Sequence, residues 1–270
     1  MKRPSRGDTT VSERRHGDLS LVWSEIGFEQ RSFWRNPFAA VFSVGFSVVF
    51  LLLLGISGNS DHIAFLGNVR TVQYYVPGFV AYGVMATCFN VLAITLVSRR
   101  ETGLLKRLRL SPLPTSIYVA ALFANALIVC TLQIVVLLVI GRVAYDVAIP
   151  SDLVPLALAV IVGVITFSAL GVAASTLIPN QEAAGPVLSI VFFVLLYLSG
   201  LWFPLQPGST LARISAWFPV RHFMIAAFAP YDPRPGVDPF AWHDLFVLCI
   251  WAVVAVAVAL RRFRWEPHRT

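Results

Sequence analysis

Six long apolar stretches, separated by polar connections, constrain this sequence more than any other feature. A helix needs about 20 apolar residues to cross the roughly 30 Å hydrocarbon core of a bilayer. Five stretches reach this length, and a sixth has a shorter apolar core, 245–260, which tryptophans flank and arginines close. The predicted spans are Phe38–Ile56, Pro77–Val97, Thr115–Gly141, Leu153–Ile178, Gly185–Phe203 and His243–Arg262. We therefore predict an all-α integral membrane protein with six transmembrane helices.

The composition agrees with this class. Hydrophobic residues make up 57% of the chain and charged residues only 13%, against about 25% charged in a soluble domain. The first 36 residues contain no apolar stretch of the kind found in signal peptides, so we expect the first span itself to direct insertion. All three cysteines lie inside apolar stretches, which predicts small buried side chains and not a disulfide or metal set.

The positive charges predict the orientation. If the N-terminus is cytoplasmic, sixteen of the 21 Lys and Arg residues lie inside, in the N-terminal region, the connection between the second and third spans and the C-terminal tail. This bias predicts that both termini are cytoplasmic, and we expect a multi-pass protein of the bacterial inner membrane. The net charge of +7 then reflects topology, and we expect no nucleic-acid partner.

The chain divides into three predicted regions: a cytoplasmic tail with an amphipathic interfacial helix (1–36), a six-span domain (37–262) and a cytoplasmic tail (263–270). In the first region apolar side chains recur at helical spacing, with Glu25, Glu29 and Arg31 between them, and Asp18 is the expected N-cap. The apolar positions are Leu19, Val22, Trp23, Ile26 and Phe33. Asn36-Pro37 should turn the chain into the membrane, and the alternative is a continuous extension of the first span.

The long connection Leu201–Trp242, between the fifth and sixth spans, is also unusual. It contains apolar pieces of one to two helical turns, broken by prolines. Such pieces are too short to span a bilayer and too apolar for open water, which predicts a re-entrant or interfacial helical hairpin at the outer face.

The sequence lacks the motifs of an energy-coupling or catalytic site. No span carries Asp, Glu, Lys or His at its middle, so a proton or ion relay is missing. The two lysines, Lys2 and Lys106, do not belong to a nucleotide-binding GxxxxGK[ST] loop, and neither HExxH, CxxC nor GxSxG occurs. Without an internal repeat, an inverted-repeat secondary transporter is also disfavoured. We therefore expect no catalytic or metal-binding residue and an energy source on another chain.

A basic segment, Arg99–Pro114, separates the second and third spans and should lie in water. Its leucines, Leu104, Leu105 and Leu108, share one helical face, while cations occupy the others. A short amphipathic helix of this kind fits a groove in a partner protein. The alternative, which the residues alone leave equally open, is an interfacial helix whose cations reach anionic membrane lipids.

Four motifs, the last in two parts, together resemble the permeases of ABC-2 type transporters, especially the multidrug and antibiotic-resistance subtype. The motifs are the segment Ser98–Pro114, Tyr75-Val76-Pro77-Gly78 at the outer start of the second span, Asn180-Gln181-Glu182, Ser199–Leu205, and Trp217-Phe218-Pro219. The resemblance implies a permease paired with a second copy or a related permease. It also implies cytoplasmic ABC ATPase subunits that bind ATP and Mg²⁺, so this chain itself binds no cofactor.

The resemblance also implies which residues couple the spans to the ATPase. These are Arg99, Arg100, Glu101, Leu104, Leu105, Lys106, Arg107 and Glu182. For Glu182 the alternative is structural: Asn180 caps the fifth span and Glu182 complements the helix dipole. Polar residues within spans are candidates for a translocation path at the dimer centre, or else for hydrogen bonds between helices. They are Tyr82, Thr87, Asn90, Asn125 and Gln133.

The expected function is export of a hydrophobic or amphipathic substrate, such as a drug, an antibiotic or a lipid-like molecule. Export of a polysaccharide or glycolipid is the alternative within the family. A membrane-embedded lipid-modifying enzyme is a further alternative, for which the candidate residues are His222, His243, Asp232 and Asp244. Their spacing forms neither a recognisable triad nor a metal site.

Overall fold

The structure, a computed structural model, is a bundle of α-helices with one short β-hairpin, and it describes residues 8–58, 60–104, 115–150 and 152–262. The helices are α1 (Asp8–Trp34), α2 (Pro37–Gly58), α3 (Thr71–Glu101), α4 (Thr115–Tyr145), α5 (Val154–Leu177), α6 (Gln181–Ser199), α7 (Thr210–Ser215), α8 (Pro219–Phe228) and α9 (Trp242–Arg262). Strands β1 (His62–Ile63) and β2 (Val69–Arg70) pair antiparallel between α2 and α3. Six helices, α2 to α6 and α9, are long and apolar enough to cross a membrane, which confirms the all-α, six-span prediction.

The second span, α3, forms the centre of the bundle. Of the 18 residues that form its most apolar stretch, 83% are buried inside the protein, against 22% for the corresponding stretch of the last span, α9. The outer spans expose large apolar side chains such as Ile190, Val253 and Leu260. In water such a surface would be unfavourable, so it is the surface that lipid or another subunit must cover.

The two ends of the helix bundle differ in their chemistry. α5 and α9 run in the same direction, joined by the alanine cluster Ala169, Ala173, Ala255 and Ala259. The end where α3, α5 and α9 finish carries Arg99, Arg100, Arg261 and Arg262, and we call it the basic end. The opposite end carries the β-hairpin and the α7–α8 pair, and we call it the hairpin end.

Three predicted spans have different limits in the structure, and one of them, α4, ends at Tyr145 and not at Gly141. We predicted that Tyr75–Gly78 lies at the start of the second span. In the structure α3 begins at Thr71, so this motif lies within its first turns. α6 runs from Gln181 to Ser199 and not from Gly185 to Phe203. The physical reason is capping: the Asn180 side chain accepts a hydrogen bond from the Ala183 N–H (2.9 Å), and Gly200 ends the helix at a left-handed φ of 83°.

Both α2 and α3 contain a π-helical segment, at Val41–Gly45 and Ala86–Val91 respectively. α5 packs very closely against the segment in α3, because a Cβ placed on Gly171 would lie only 2.5 Å from the Cys88 carbonyl oxygen. The wider π turn and this glycine bring the two central spans into backbone contact.

The N-terminal helix α1 is longer than predicted. It begins at Asp8 and continues through Asp18, so the N-cap prediction for Asp18 is wrong. It stops before Asn36, whose Oδ1 accepts from the Ala39 N–H (3.3 Å) with Pro37 as the first residue of α2. This break confirms the turn at Asn36-Pro37 over a continuous extension of the first span.

Over residues 21–34, one face of α1 is in contact with the bundle. Ile26, Glu29 and Phe33 are buried, chiefly towards α4, while Trp23 is 70% exposed. Glu29 was predicted on the polar side of this helix, and the structure places it on the buried side. A position at the membrane interface stays a prediction for the exposed side.

The connection between α6 and α9 folds into the two short helices α7 and α8. α8 packs against α3, α5, α6 and α9, and its residues Val220, Phe223 and Met224 are buried. The Phe223 ring lies directly over Gly163 of α5. The connection is therefore helical and part of the core at the hairpin end, and its entry into the bilayer remains a prediction.

Candidate functional site

Arg99, at the end of α3, is the centre of a buried ion pair at the basic end. Its guanidinium donates to both carboxylate oxygens of Glu29 in α1, at 2.6 and 2.8 Å, and to the hydroxyl of Tyr118 in α4 at 2.8 Å. Arg99 is 7% exposed and Glu29 3%. A bidentate pair of this kind fixes orientation as well as distance, so it joins three helices at one point.

Arg100 binds the end of another central span. Its guanidinium donates to the carbonyl oxygens of Ser175 (3.0 Å), Ile178 (2.5 Å) and Pro179 (3.3 Å). These carbonyls belong to the end of α5 and the residues that follow it, where a helix leaves acceptors unpaired and where a cation is favoured by the helix dipole. Arg100 thus caps α5 from α3.

These contacts correct the expectation that the whole basic segment lies in water. Arg99 and Arg100 point into the protein, and Glu101 and Leu104 are only partly buried at the surface of the same end. Leu105, Lys106 and Arg107 lie outside the described residues.

The second predicted coupling segment lies beside the first. Arg100 contacts Pro179, which directly precedes the Asn180–Glu182 turn. Asn180 caps α6, as the structural alternative predicted, and Glu182 is exposed in the first turn of that helix. Glu101 and Glu182 are therefore exposed or half-exposed carboxylates of the basic end, on adjoining segments that Arg100 holds together. Their role in coupling stays a prediction.

Two of the predicted path residues connect helices. The Tyr82 hydroxyl donates to the Phe42 carbonyl of α2 at 2.7 Å, and the Gln133 amide of α4 donates to the Ser47 hydroxyl of α2 at 2.8 Å. Gln133 lies over Gly83, where any added Cβ would clash with its amide. Both side chains are 1% exposed, so they do not reach an open face of the subunit.

The other three path candidates have polar atoms without a hydrogen-bond partner among the described residues. These atoms are the hydroxyl of Thr87, both amide atoms of Asn90 and the amide oxygen of Asn125, and the amide oxygen of Gln133 also lacks a partner among the described residues. Leaving a buried polar atom unpaired costs about 1–3 kcal/mol, and such atoms in a native protein call for an explanation. Thr87 and Asn90 both lie in the π-helical segment of α3, a distortion that is frequent at functional sites.

Thr87 and Asn125 line a cavity of about 360 Å³ at the basic end, between α1, α3 and α4. One part of its wall is polar, with Glu29, Arg99 and Asn125, and another part is apolar, with Phe33, Val91 and Leu122. Its size falls in the range of small-molecule sites. The sequence could have indicated Glu29, which lies three residues after Ile26 and four before Phe33 on one helical face. Tyr118 and the carbonyls bound by Arg100 left no such signal.

At the hairpin end the structure brings together residues whose spacing formed no recognisable site. The ligand atoms of His222 in α8 and of His243 and Asp244 in α9 lie within 4.8 Å of one another. The ring of His222 shares a hydrogen bond of 2.6 Å with Asp244, which raises the pKa of His222 above its ordinary value. Asp232 pairs with Arg234 instead.

The family of this chain follows from comparison with known proteins. The sequence model of the family described as ABC-2 family transporter protein matches residues 56–261. The chain belongs to the ABC-2 transporter family. Arg99, Arg100, Glu101, Leu104 and the Asn180–Glu182 turn all lie within the matched region, whereas Glu29 precedes it.

Two bacterial relatives support the assignment. Over 184 residues the chain is 29% identical to "Putative transport permease YvfS" of Bacillus subtilis (strain 168), covering 67% of this chain and 73% of that protein. Over 201 residues it is 26% identical to "Probable multidrug ABC transporter permease YbhR" of Escherichia coli (strain K12), covering 73% of this chain and 54% of that protein. This chain thus spans about half the length of the second relative.

An ABC-2 permease is the membrane component of a transporter, and the family implies ATPase partner subunits. The six spans and the family together make this chain a multi-pass membrane protein.

Proposed function

We propose that this ABC-2 permease is the membrane subunit of an exporter that moves a hydrophobic or amphipathic substrate out of the cytoplasm or the inner leaflet. The family supports a transport role, and one relative is named as a probable multidrug permease. The chain has no nucleotide-binding loop, which agrees with an energy source on a separate ATPase subunit.

The observation that carries the coupling proposal is the pair of arginine contacts at the basic end. Arg99 ties α3 to α1 and α4, and Arg100 ties α3 to the end of α5. A displacement of the α3 end would therefore move α1, α4 and α5 with it, because the charges and hydrogen bonds that join them are buried. An ATPase docked on Glu101, Leu104 and Glu182 would act on this clamped unit. Arg99 and Arg100 would then act indirectly, by holding these helices together.

The proposed substrate class rests on the cavity beside the Glu29–Arg99 pair. Its polar wall is suited to the polar part of an amphipathic molecule, and its apolar wall to a hydrocarbon part. Export of a polysaccharide or glycolipid is the alternative within the family, and it would require a longer polar path than this cavity provides within one subunit.

The test reverses one charge at each end of the protein. Glu101→Lys at the basic end should abolish association with the co-expressed ATPase or stimulation of its activity, while membrane insertion is retained. Asp61→Lys, an equal reversal on an exposed residue at the hairpin end, should leave both unchanged. Co-purification and ATPase rates measure the outcome. Full ATPase stimulation and transport by Glu101→Lys would contradict coupling at this segment.

A second variant tests the apolar part of the same segment. Replacing Leu104 and Leu105 by Asp should also abolish ATPase association, since charged side chains cannot enter an apolar groove. Unchanged association would favour the alternative in which this segment contacts lipid.

A further inference from the structure

The cluster of His222, His243 and Asp244 at the hairpin end is not used by the proposed transport mechanism. His222 is buried in α8, whereas His243 and Asp244 lie in the first turn of the last span, α9. Two imidazoles and one carboxylate are donors that zinc and similar dications bind in proteins, whereas Ca²⁺ and Mg²⁺ prefer oxygen ligands alone.

The hydrogen bonds of His222 prepare one of its nitrogens as a ligand. Nε2 lies 2.9 Å from the carbonyl oxygen of Ala216, which can only accept, so Nε2 carries a proton. In the neutral ring the lone pair is then on Nδ1, which lies 2.6 Å from the Asp244 carboxylate. A metal-bound histidine typically donates its other N–H to a backbone carbonyl or carboxylate in this way.

A metal ion would take the place of the proton that His222 and Asp244 now share. With bond lengths of about 2.0–2.1 Å, tetrahedral ligand atoms lie about 3.3 Å apart. The pair must therefore open slightly from 2.6 Å, and His243 must approach from within 4.8 Å. The ring of His243 is exposed and lies beside that of His222, with 6.0 Å between the ring centroids. It makes no hydrogen bond with another described residue, so it can turn towards the pair.

The fourth position would be open to water. His243 and Asp244 line a cavity of about 440 Å³ between α8, α9 and the β-hairpin connection, which gives a route for the ion and for a water ligand. Arg221 and Arg234 also line it, but the guanidinium of Arg234 is held by Asp232 and that of Arg221 by the Ser199 carbonyl.

We propose that His222, His243 and Asp244 form a binding site for a zinc-like transition-metal dication that joins α8 to the start of the last span. The bound ion would hold the packed outer helix α8 against α9 and so stabilise the folded protein, because it binds only when both helices are in place. This site is independent of the proposed direction and substrate of transport.

The experiment uses the full chain, purified in detergent without a polyhistidine tag and stripped of metal by a chelator. Co²⁺ is the probe, because four-coordinate Co²⁺ absorbs in the visible range, and Zn²⁺ is then added in competition. At mildly alkaline pH we expect one Co²⁺ per chain, displacement by Zn²⁺ and a higher melting temperature with either ion.

The exposed ligand gives the decisive variant. His243→Ala should still fold, because this side chain is not part of the core, and should bind Co²⁺ at least about tenfold more weakly, the lower limit seen even for loss of an outer-shell partner. His62→Ala, an exposed histidine of the β-hairpin at the same end, is the matched control and should bind normally. Absence of Co²⁺ binding by the parent chain, or equal binding by His243→Ala, would overturn the proposal.

Discussion

At the scale of single residues, two neighbouring arginines bind different partners through the same guanidinium group. Arg99 is neutralised by a buried carboxylate, while Arg100 is held by carbonyl dipoles at the end of α5. Both are almost fully buried, and each would be unfavourable there without its partners. The sequence predicted that this segment is basic and polar. It did not predict these burials, because each partner lies far away along the chain and the contact exists only after the helices pack.

The Glu29–Arg99 pair should control the stability of the basic end. Glu29→Gln leaves Arg99 buried without a counter-charge, which in buried pairs costs about 3–5 kcal/mol, so the melting temperature in detergent should fall clearly. Glu25→Gln, on the same helix but partly exposed, is the control and should change it little.

The double variant Glu29→Met/Arg99→Met tests whether the loss of stability in Glu29→Gln comes from the unpaired charge that it leaves on Arg99. Because it removes both charges, it should be more stable than Glu29→Gln alone. Equal melting temperatures for Glu29→Gln and Glu25→Gln would show that the pair does not hold the helices together.

The polar residues within the spans divide into two groups with opposite expected phenotypes. Asn125→Leu removes an amide whose oxygen has no partner among the described residues, so stability should be unchanged or higher, while transport should fall if the cavity binds substrate. Gln133→Leu removes the bond to Ser47 together with an amide oxygen that has no partner among the described residues, so the net loss of stability should lie at the lower end of about 0.6–2 kcal/mol.

Parallel measurement of melting temperature and transport in the two variants distinguishes a path residue from a connection between helices. Normal transport by Asn125→Leu would argue against a substrate site in this cavity.

At the scale of elements, the ends of helices and their internal distortions are less predictable than their existence. Apolar length located five of the spans, and the sixth also needed its flanking tryptophans and arginines. It misplaced α6 by about one turn, because Asn180 and Gly200 determine its ends and the apolar pattern determines only its middle. The π-helical segments of α2 and α3 were not predicted, since apolar length does not distinguish a π turn from an α turn.

The contact between α3 and α5 predicts contrasting effects of two glycine substitutions. Gly171→Ala would place a Cβ 2.5 Å from the Cys88 carbonyl oxygen, so the backbones must separate, at a cost of about 1–3 kcal/mol. Gly185→Ala, in α6, meets no atom within 4 Å and should be neutral or stabilising, because alanine is the better helix former by about 1 kcal/mol.

Melting temperatures of the two glycine variants, at equal expression, provide the comparison. If Gly171→Ala were as stable as Gly185→Ala, the close packing of the two central spans would be wrong.

At the scale of the whole molecule, a buried central pair of spans, α3 and α5, is surrounded by spans with exposed apolar faces. The basic end joins α1, α3, α4 and α5 through buried arginines, and the hairpin end packs α8 against α9. If the arginines face the cytoplasm, as the charge bias predicts, these arginine contacts lie where an ATPase subunit would dock. The number of permease copies and the orientation remain predictions from the sequence and the family.

Reconstitution of the chain with its ATPase partner in proteoliposomes tests the central claim, that a separate ATPase drives this permease through its basic end. We expect substrate movement that requires both ATP and the ATPase subunit, is lost in Glu101→Lys and persists in Asp61→Lys. Movement by the chain alone, driven by a proton or sodium gradient without ATPase, would contradict the account.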